Sequence, residues 1–141
     1  MMEFFDTSVL VAAFRGGHAN HDVSLKCFAA AEKKHAACAV HSLAEVYAVM
    51  TSLAVKPLIP PEQALLFVGE VWARLTPISL TAEEYMSALQ RAASRGVSGG
   101  RIYDSLLLAA ATKCNARVIY TWNLKHFQSI APDLAERIQT P

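Results

Sequence analysis

Cysteine is scarce in this chain and badly placed for its usual structural roles. Cys27, Cys38 and Cys114 are an odd number, with no pair at CxxC spacing. A zinc site and a disulfide framework are thereby excluded as organising devices, and the thiols read as core residues. Charge is scarce too. Charged residues make up 18% of the chain and the net charge is +1, which excludes a blanket polyanion binder and confines any nucleic-acid contact to a local patch. Long apolar runs are missing: stretches such as Leu106 to Ala111 fall far short of the roughly 20 residues that span a bilayer. Nor does a basic segment lead into an apolar stretch at the start, where Glu3 and Asp6 intervene. The chain is expected to be cytoplasmic, with no membrane partner.

What is present is ample core material. A hydrophobic fraction of 53% over 141 residues predicts one domain covering residues 1–141, with no repeat or linker to divide it. Met2 to Phe5 reads as a strand, and Val9, Leu10, Ala13 and Phe14 then recur at helical spacing until Gly16-Gly17 ends the helix. A second helix is expected over Asn20 to Lys33, with Val23, Cys27, Phe28 and Ala31 on one side, followed by a buried strand over Ala36 to Val40. Leu43, Val46, Tyr47, Met50 and Leu53 predict a helix as far as Val55, broken by Lys56-Pro57 and Pro60-Pro61. The next helix should turn Leu65, Val68, Val71, Trp72 and Leu75 inward. A short strand at Pro77 to Leu80, a helix capped by Thr81 and running to Ser94, and a glycine loop at Gly96 to Gly100 come next. Then follow a helix from about Ile102 to Cys114, a strand from Arg117 to Thr121, a helical turn near Leu124 to Phe127, and an edge strand at Arg137 to Thr140. Short strands alternating with helices predict an α/β fold of three layers, with a mainly parallel central sheet flanked by helices.

Acids number only 12, and three of them stand beside predicted helix starts: Asp6, Glu45 and Asp104. Each has a plain structural explanation. Asp6 suits an N-cap, Ser42-Leu43-Ala44-Glu45 fits a capping box, and Asp104 near its helix start is favoured by the macrodipole. Their placement argues for more. Asp6 and Thr121-Trp122-Asn123 directly follow predicted strands, and Glu45 follows one after a brief turn. Ligands of open α/β sheets bind beyond the carboxyl ends of the strands, and the Gly99-Gly100 loop could swing Asp104 toward the same end. Three carboxylates brought together demand protons or a divalent cation.

In these strings the sequence resembles the PIN-domain nucleases, and among them the VapC-like toxins of bacterial toxin–antitoxin pairs. The carriers are the first strand ending in Asp6-Thr7-Ser8, the segment Ser42-Leu43-Ala44-Glu45, Tyr103-Asp104-Ser105-Leu106, and Val118 to Phe127. The resemblance implies a three-layer PIN-like fold and a metal-dependent endoribonuclease using Mg²⁺, or Mn²⁺ in its place. It also implies an RNA substrate, a cognate antitoxin protein and a homodimer. Matched residue by residue, it makes Asp6, Glu45 and Asp104 catalytic, with Asp6 and Asp104 holding the metal and Glu45 a ligand directly or through water. Thr7 and Thr121 match hydroxyl positions bordering the site. Many family members carry a fourth acid where this chain has Asn123 and His126; Asn123 brings no charge, so a second Mg²⁺ should be held less firmly.

Arg15 and Arg101, with Arg95 near the same predicted rim, are candidates to neutralise substrate phosphates. Lys33-Lys34-His35 reads as a solvated connection, Trp122 as a packing residue before a base-stacking one, and His18, His21 and His41 as too few and too scattered for zinc. Two other readings compete. A phosphohydrolase of the haloacid dehalogenase type wants a second acid two residues after Asp6, where this chain has Ser8. A non-catalytic PIN-like module binding RNA or protein would keep the acids only as caps.

Overall fold

The computed structural model describes residues 2–52 and 54–141; the repeat position assigned to Leu53 lies outside the described residues. The chain alternates β1 (Met2–Phe5), α1 (Thr7–Phe14), α2 (His21–Ala29), β2 (Ala36–Ala39), α3 (Val40–Met50), α4 (Pro61–Arg74), β3 (Thr76–Ile78), α5 (Ala82–Ser94), α6 (Arg101–Lys113), β4 (Ala116–Tyr120), α7 (Leu124–Ile130) and β5 (Ile138–Gln139). A 3₁₀ helix, Pro132–Arg137, links α7 to β5. The sheet runs β3-β2-β1-β4-β5, and its pairings are parallel.

Strand periodicity divides the core in two. Phe4 and Phe5 point to opposite faces because successive Cβ atoms alternate. Phe5 and Cys38 pack with Val9, Leu10, Phe28, Val46 and Val71 from α1 to α4. Phe4, Ala37 and Ala39 pack with Leu107, Ala111 and Phe127 from α6 and α7, and α5 lies against α6. With both faces covered, β2 can be apolar throughout, and its Ala36-Ala37-Cys38-Ala39 run is wholly buried. The three-layer arrangement expected from the sequence is the one found.

Several boundaries and faces differ. The second helix stops at Ala29, ahead of Lys33, because the chain must turn there to enter β2. Its inner face also differs: Val23 is 49% exposed and Ser24 is buried. The α3 helix begins at Val40, directly after β2, instead of near Leu43. On α4, Ala64 and Val71 face inward while Leu65 and Trp72 are 62% and 58% exposed. The last strand is shortened to two residues because the 3₁₀ helix takes up Arg137.

What this topology positions is a reversal of strand order beside β1. From β1 the chain builds outward to β2 and β3 on one side, and later to β4 and β5 on the other. The order reverses between β1 and β4, and ligands of such sheets bind beyond the carboxyl ends at that point. Asp6 leaves β1 there, and Thr121 leaves β4 beside it.

Candidate active site

Asp6 occupies the N-cap position of α1 without capping it: its side chain makes no cap hydrogen bond. It is held instead from β4. Thr121 Oγ1 donates to Asp6 Oδ2 at 2.8 Å and Ser8 Oγ donates to the same oxygen at 2.6 Å. The proton directions are fixed by the backbone, since Trp122 N donates into Ser8 Oγ at 3.0 Å and Asn123 N into Thr121 Oγ1 at 3.0 Å. Each hydroxyl thus spends its acceptor side on an amide and its single proton on the carboxylate. Asp6 is only 3% exposed. Burial pushes its pKa above the ordinary carboxylate value, the Ser8 and Thr121 hydroxyls pull it down, and the Glu45 charge pushes it up again. The net direction is upward: a buried acid, well supplied with donors yet still short of positive charge.

Glu45 does not complete a capping box. With α3 starting at Val40 and Ala39 at its N-cap, Ser42 and Glu45 lie inside the first turns and reach α1. Thr7 Oγ1 donates to Glu45 Oε1 at 2.8 Å and lies 2.8 Å from Ser42 Oγ. His41 Nε2 stands 3.9 Å from the same Glu45 oxygen. The sequence pattern of the box recurs at Thr81 and Glu84, where both of its hydrogen bonds form. The difference is where each helix starts: Thr81 is the N-cap of α5, whereas Ser42 lies inside α3, and Glu84 completes its box even with Lys113 Nζ 2.7 Å from its Oε1.

Asp104 sits in the first turn of α6, half-buried. Burial first, then the charges of Asp6 and Glu45, push its pKa up to about 6, against the pull of His126 and Arg101. Asp104 therefore feels both other acids, which are remote in sequence. Among the described residues, no three carboxylate, imidazole or thiol groups converge tightly enough to grip one ion as the side chains stand. The trio is close enough for mutual repulsion, and its donor set of carboxylate oxygens bordered by hydroxyls is the hard-oxygen type that suits Mg²⁺ or Mn²⁺.

The remaining candidates fall in different places. Asn123 is exposed and contributes its main-chain N–H to Thr121, with no side-chain cap on α7. Arg101 opens α6 and is tied to α7 through Nη2 to Ser129 Oγ at 2.8 Å. Arg95 binds the Ile130 carbonyl at 3.0 Å. Arg15 caps the far end of α1, roughly 13 Å along the helix from Asp6 at 1.5 Å per residue. Trp122 packs, its indole N–H donating to Ser24 Oγ at 2.8 Å. His18 and His21 bond to backbone groups of Asn20 and Ala12. Ser8 and Ser42 stood in the strings that carry the family resemblance, but with no supporting role toward the acids: Ser8 marked where a second acid was missing, and Ser42 read as a cap. The signal that could have found both is a hydroxyl within one or two turns of each acid.

The PIN domain family matches residues 4–131 of this chain. Ribonuclease VapC40 of Mycobacterium tuberculosis is 27% identical over 114 residues, which cover 81% of this chain and 81% of that protein. Among solved structures, Mycobacterium tuberculosis VapC20, a Sarcin-Ricin loop cleaving toxin, superposes with a TM-score of 0.69 at 16% identity, covering 86% of this chain and 89% of the other. Rickettsia felis VapBC2, solved bound to a DNA fragment from its promoter, superposes with a TM-score of 0.66 at 21% identity over 99% and 98% of the two chains. The topology, the grouping of the acids and a family match spanning nearly the whole sequence agree, and the chain belongs to the PIN domain family.

Proposed function

We propose that this protein is a metal-dependent endoribonuclease that hydrolyses RNA phosphodiester bonds, and that it is the toxin of a toxin–antitoxin pair. The observation that carries the reading is the buried Asp6 at the strand-order reversal, in electrostatic reach of Glu45 and Asp104. Likeness to a named ribonuclease supports the activity, and likeness to toxin structures supports the biological role.

Asp6 and Asp104 would hold the ion, as Mg²⁺ is commonly bound by one or two carboxylates plus substrate phosphate. Bound there, Mg²⁺ or Mn²⁺ would neutralise charge at the scissile phosphate and lower the pKa of a coordinated water. Ser8 and Thr121 keep Asp6 aimed by fixing Oδ2. Glu45, steadied by Thr7, takes a proton from the attacking water. The water oxygen bonds to phosphorus, the P–O ester bond breaks, and the departing ribose oxygen is protonated from solvent. Arg101, whose charge reaches Asp104, would meet a flanking phosphate, and Arg15 would serve only a longer stretch of backbone. A single ion is the economical reading, since Asn123 adds no charge for a second.

The partners follow from the surface. Leu65, Leu66 and Trp72 on α4, with Tyr47 and Val49 on α3, are exposed apolar residues on two helices in contact. Such a patch suits a second copy or a cognate antitoxin. No described helix is long and apolar enough to cross a membrane.

The rival reading, a non-catalytic module that binds RNA or protein, draws on the absence of a tight three-ligand cluster among the described residues. One experiment separates the two. RNA should be cut with Mg²⁺ or Mn²⁺, spared with EDTA, and spared by Asp104→Asn. Cleavage indifferent to both changes would sink the metal-site reading.

A further inference from the structure

Beside the acids lies a small cavity that the cleavage chemistry does not use. It has a volume of about 250 Å³ and opens between the ends of β2 and β3 and the helices α3, α5 and α6. Leu80, Leu106 and Leu107 contribute apolar walls, while His41, Ser79 and Tyr85 stand exposed at its rim. The volume lies just under the roughly 300–1,000 Å³ of pockets for drug-sized ligands. It suits one small flat group.

The rim is joined to the acids by an aromatic pair. His41 and Tyr103 stack with ring centroids 5.4 Å apart and planes within 7° of parallel. Each neighbours an acid: His41 Nε2 is 3.9 Å from Glu45 Oε1, and Tyr103 immediately precedes Asp104. Tyr103 is itself exposed, so the stack is not a core contact. It holds the imidazole upright at the mouth of the cavity, with Tyr85 lining it from α5.

We propose that this cavity is a nucleobase subsite, receiving the base of a nucleotide next to the scissile phosphate against the faces of His41 and Tyr85. The proposal rests on the ribonuclease reading and deepens it. Single-stranded substrates are gripped by aromatic faces on which bases stack, a contact open to every base. Ser79 and His41 supply polar atoms for the base edge, which gives the subsite a means of preferring one base over another. Tyr103 acts as a positioning residue, through His41.

The test uses a single-stranded RNA oligonucleotide with a mapped cut, and versions with one abasic nucleotide at each position flanking it. Tyr85→Ala should raise KM on intact RNA about 5- to 150-fold, the usual effect of removing one stacking partner, with kcat nearly unchanged. Tyr85→Phe should restore KM. On RNA abasic at one particular flanking position, Tyr85→Ala should cost nothing further. Leu80→Trp, which fills the cavity, should mimic Tyr85→Ala. Equal losses on intact and abasic RNA at every position would overturn the subsite while leaving the nuclease standing. So would an unchanged KM with Tyr85→Ala accompanied by weakened inhibition by a protein partner, which would make the cavity a protein contact. Absence of any RNA cleavage with Mg²⁺ or Mn²⁺ would overturn the nuclease reading and the subsite together.

Discussion

Asp104→Asn removes one charge from a half-buried group of three, and in metal-free protein it should raise stability. The magnitude follows from the ionisation of Asp104. Burial and the two neighbouring acids move its pKa from the ordinary 3.8 up to about 6, a change equivalent at face value to roughly 3 kcal/mol. Asp104 is only half-buried, and solvent screens its exposed part, so about 1 kcal/mol is the expected gain. In a domain of this length that raises Tm by about 3–5 °C. The sign depends on pH. A carboxyl whose pKa rises on folding costs stability where both states are ionised, above about pH 6, and the cost disappears as pH falls toward its unfolded value. Thermal melts in EDTA at about pH 7.5 and about pH 4.5 should therefore show a clear gain at the first and little at the second. Adding Mg²⁺ should reverse the ranking, because an ion that binds only the native wild type adds about 2.7 kcal/mol at a hundredfold excess over Kd. A lower Tm for Asp104→Asn at neutral pH in EDTA would refute the reasoning, as would a gain that ignores pH.

Three further outcomes are expected. Calorimetric titration should show Mg²⁺ affinity falling as pH drops through about 6, where Asp104 takes up a proton and the ion must displace it. Thr121→Val removes one of the two hydroxyl donors on Asp6 Oδ2 and the acceptor of the Asn123 N–H; urea unfolding should register a loss of about 1–3 kcal/mol, with Thr121→Ser recovering most of it. Phe5→Ala opens a hole beneath β1, where Phe5 is fully enclosed, and equilibrium unfolding should report a loss of about 3–5 kcal/mol.

The sequence revealed the elements more reliably than their faces. Ala36–Ala39 announces itself because a strand covered on both sides must be apolar throughout, and Met2–Phe5 is apolar except for Glu3 at its less buried start. On α4 the apolar spacing is real, but it points Leu65 and Trp72 at solvent. A face that packs on the core and a face kept for a partner obey the same helical period, and only tertiary structure tells them apart. Ser24 shows the converse: a buried serine satisfied by the indole of Trp122, a residue nearly a hundred positions away that no local pattern can connect. At the site, the three acids were legible as a group because each begins where a strand has just ended or a glycine loop returns the chain. Thr7 and Thr121 were named only through the family resemblance, and the supports at Ser8 and Ser42 were not legible, since Ser42 meets Thr7 across α1 and α3 and Ser8 is fixed by the Trp122 amide beyond β4.

The junction between β2 and α3 has no slack: Ala39 ends the strand and Val40 begins the helix. Chain length there is consequently as constrained as side-chain identity. One residue inserted between them would turn α3 by about 100° if the helix kept its start, carrying Glu45 away from Thr7 and Val46 and Met50 out of the core in a single step. An insertion at Gly99-Gly100 falls in an exposed loop, where the chain can absorb extra length. Among sequences descended from a common ancestor with this chain, length changes should therefore collect at the glycine loop and be purged from the β2–α3 joint, even where the residues on either side of that joint are free to vary.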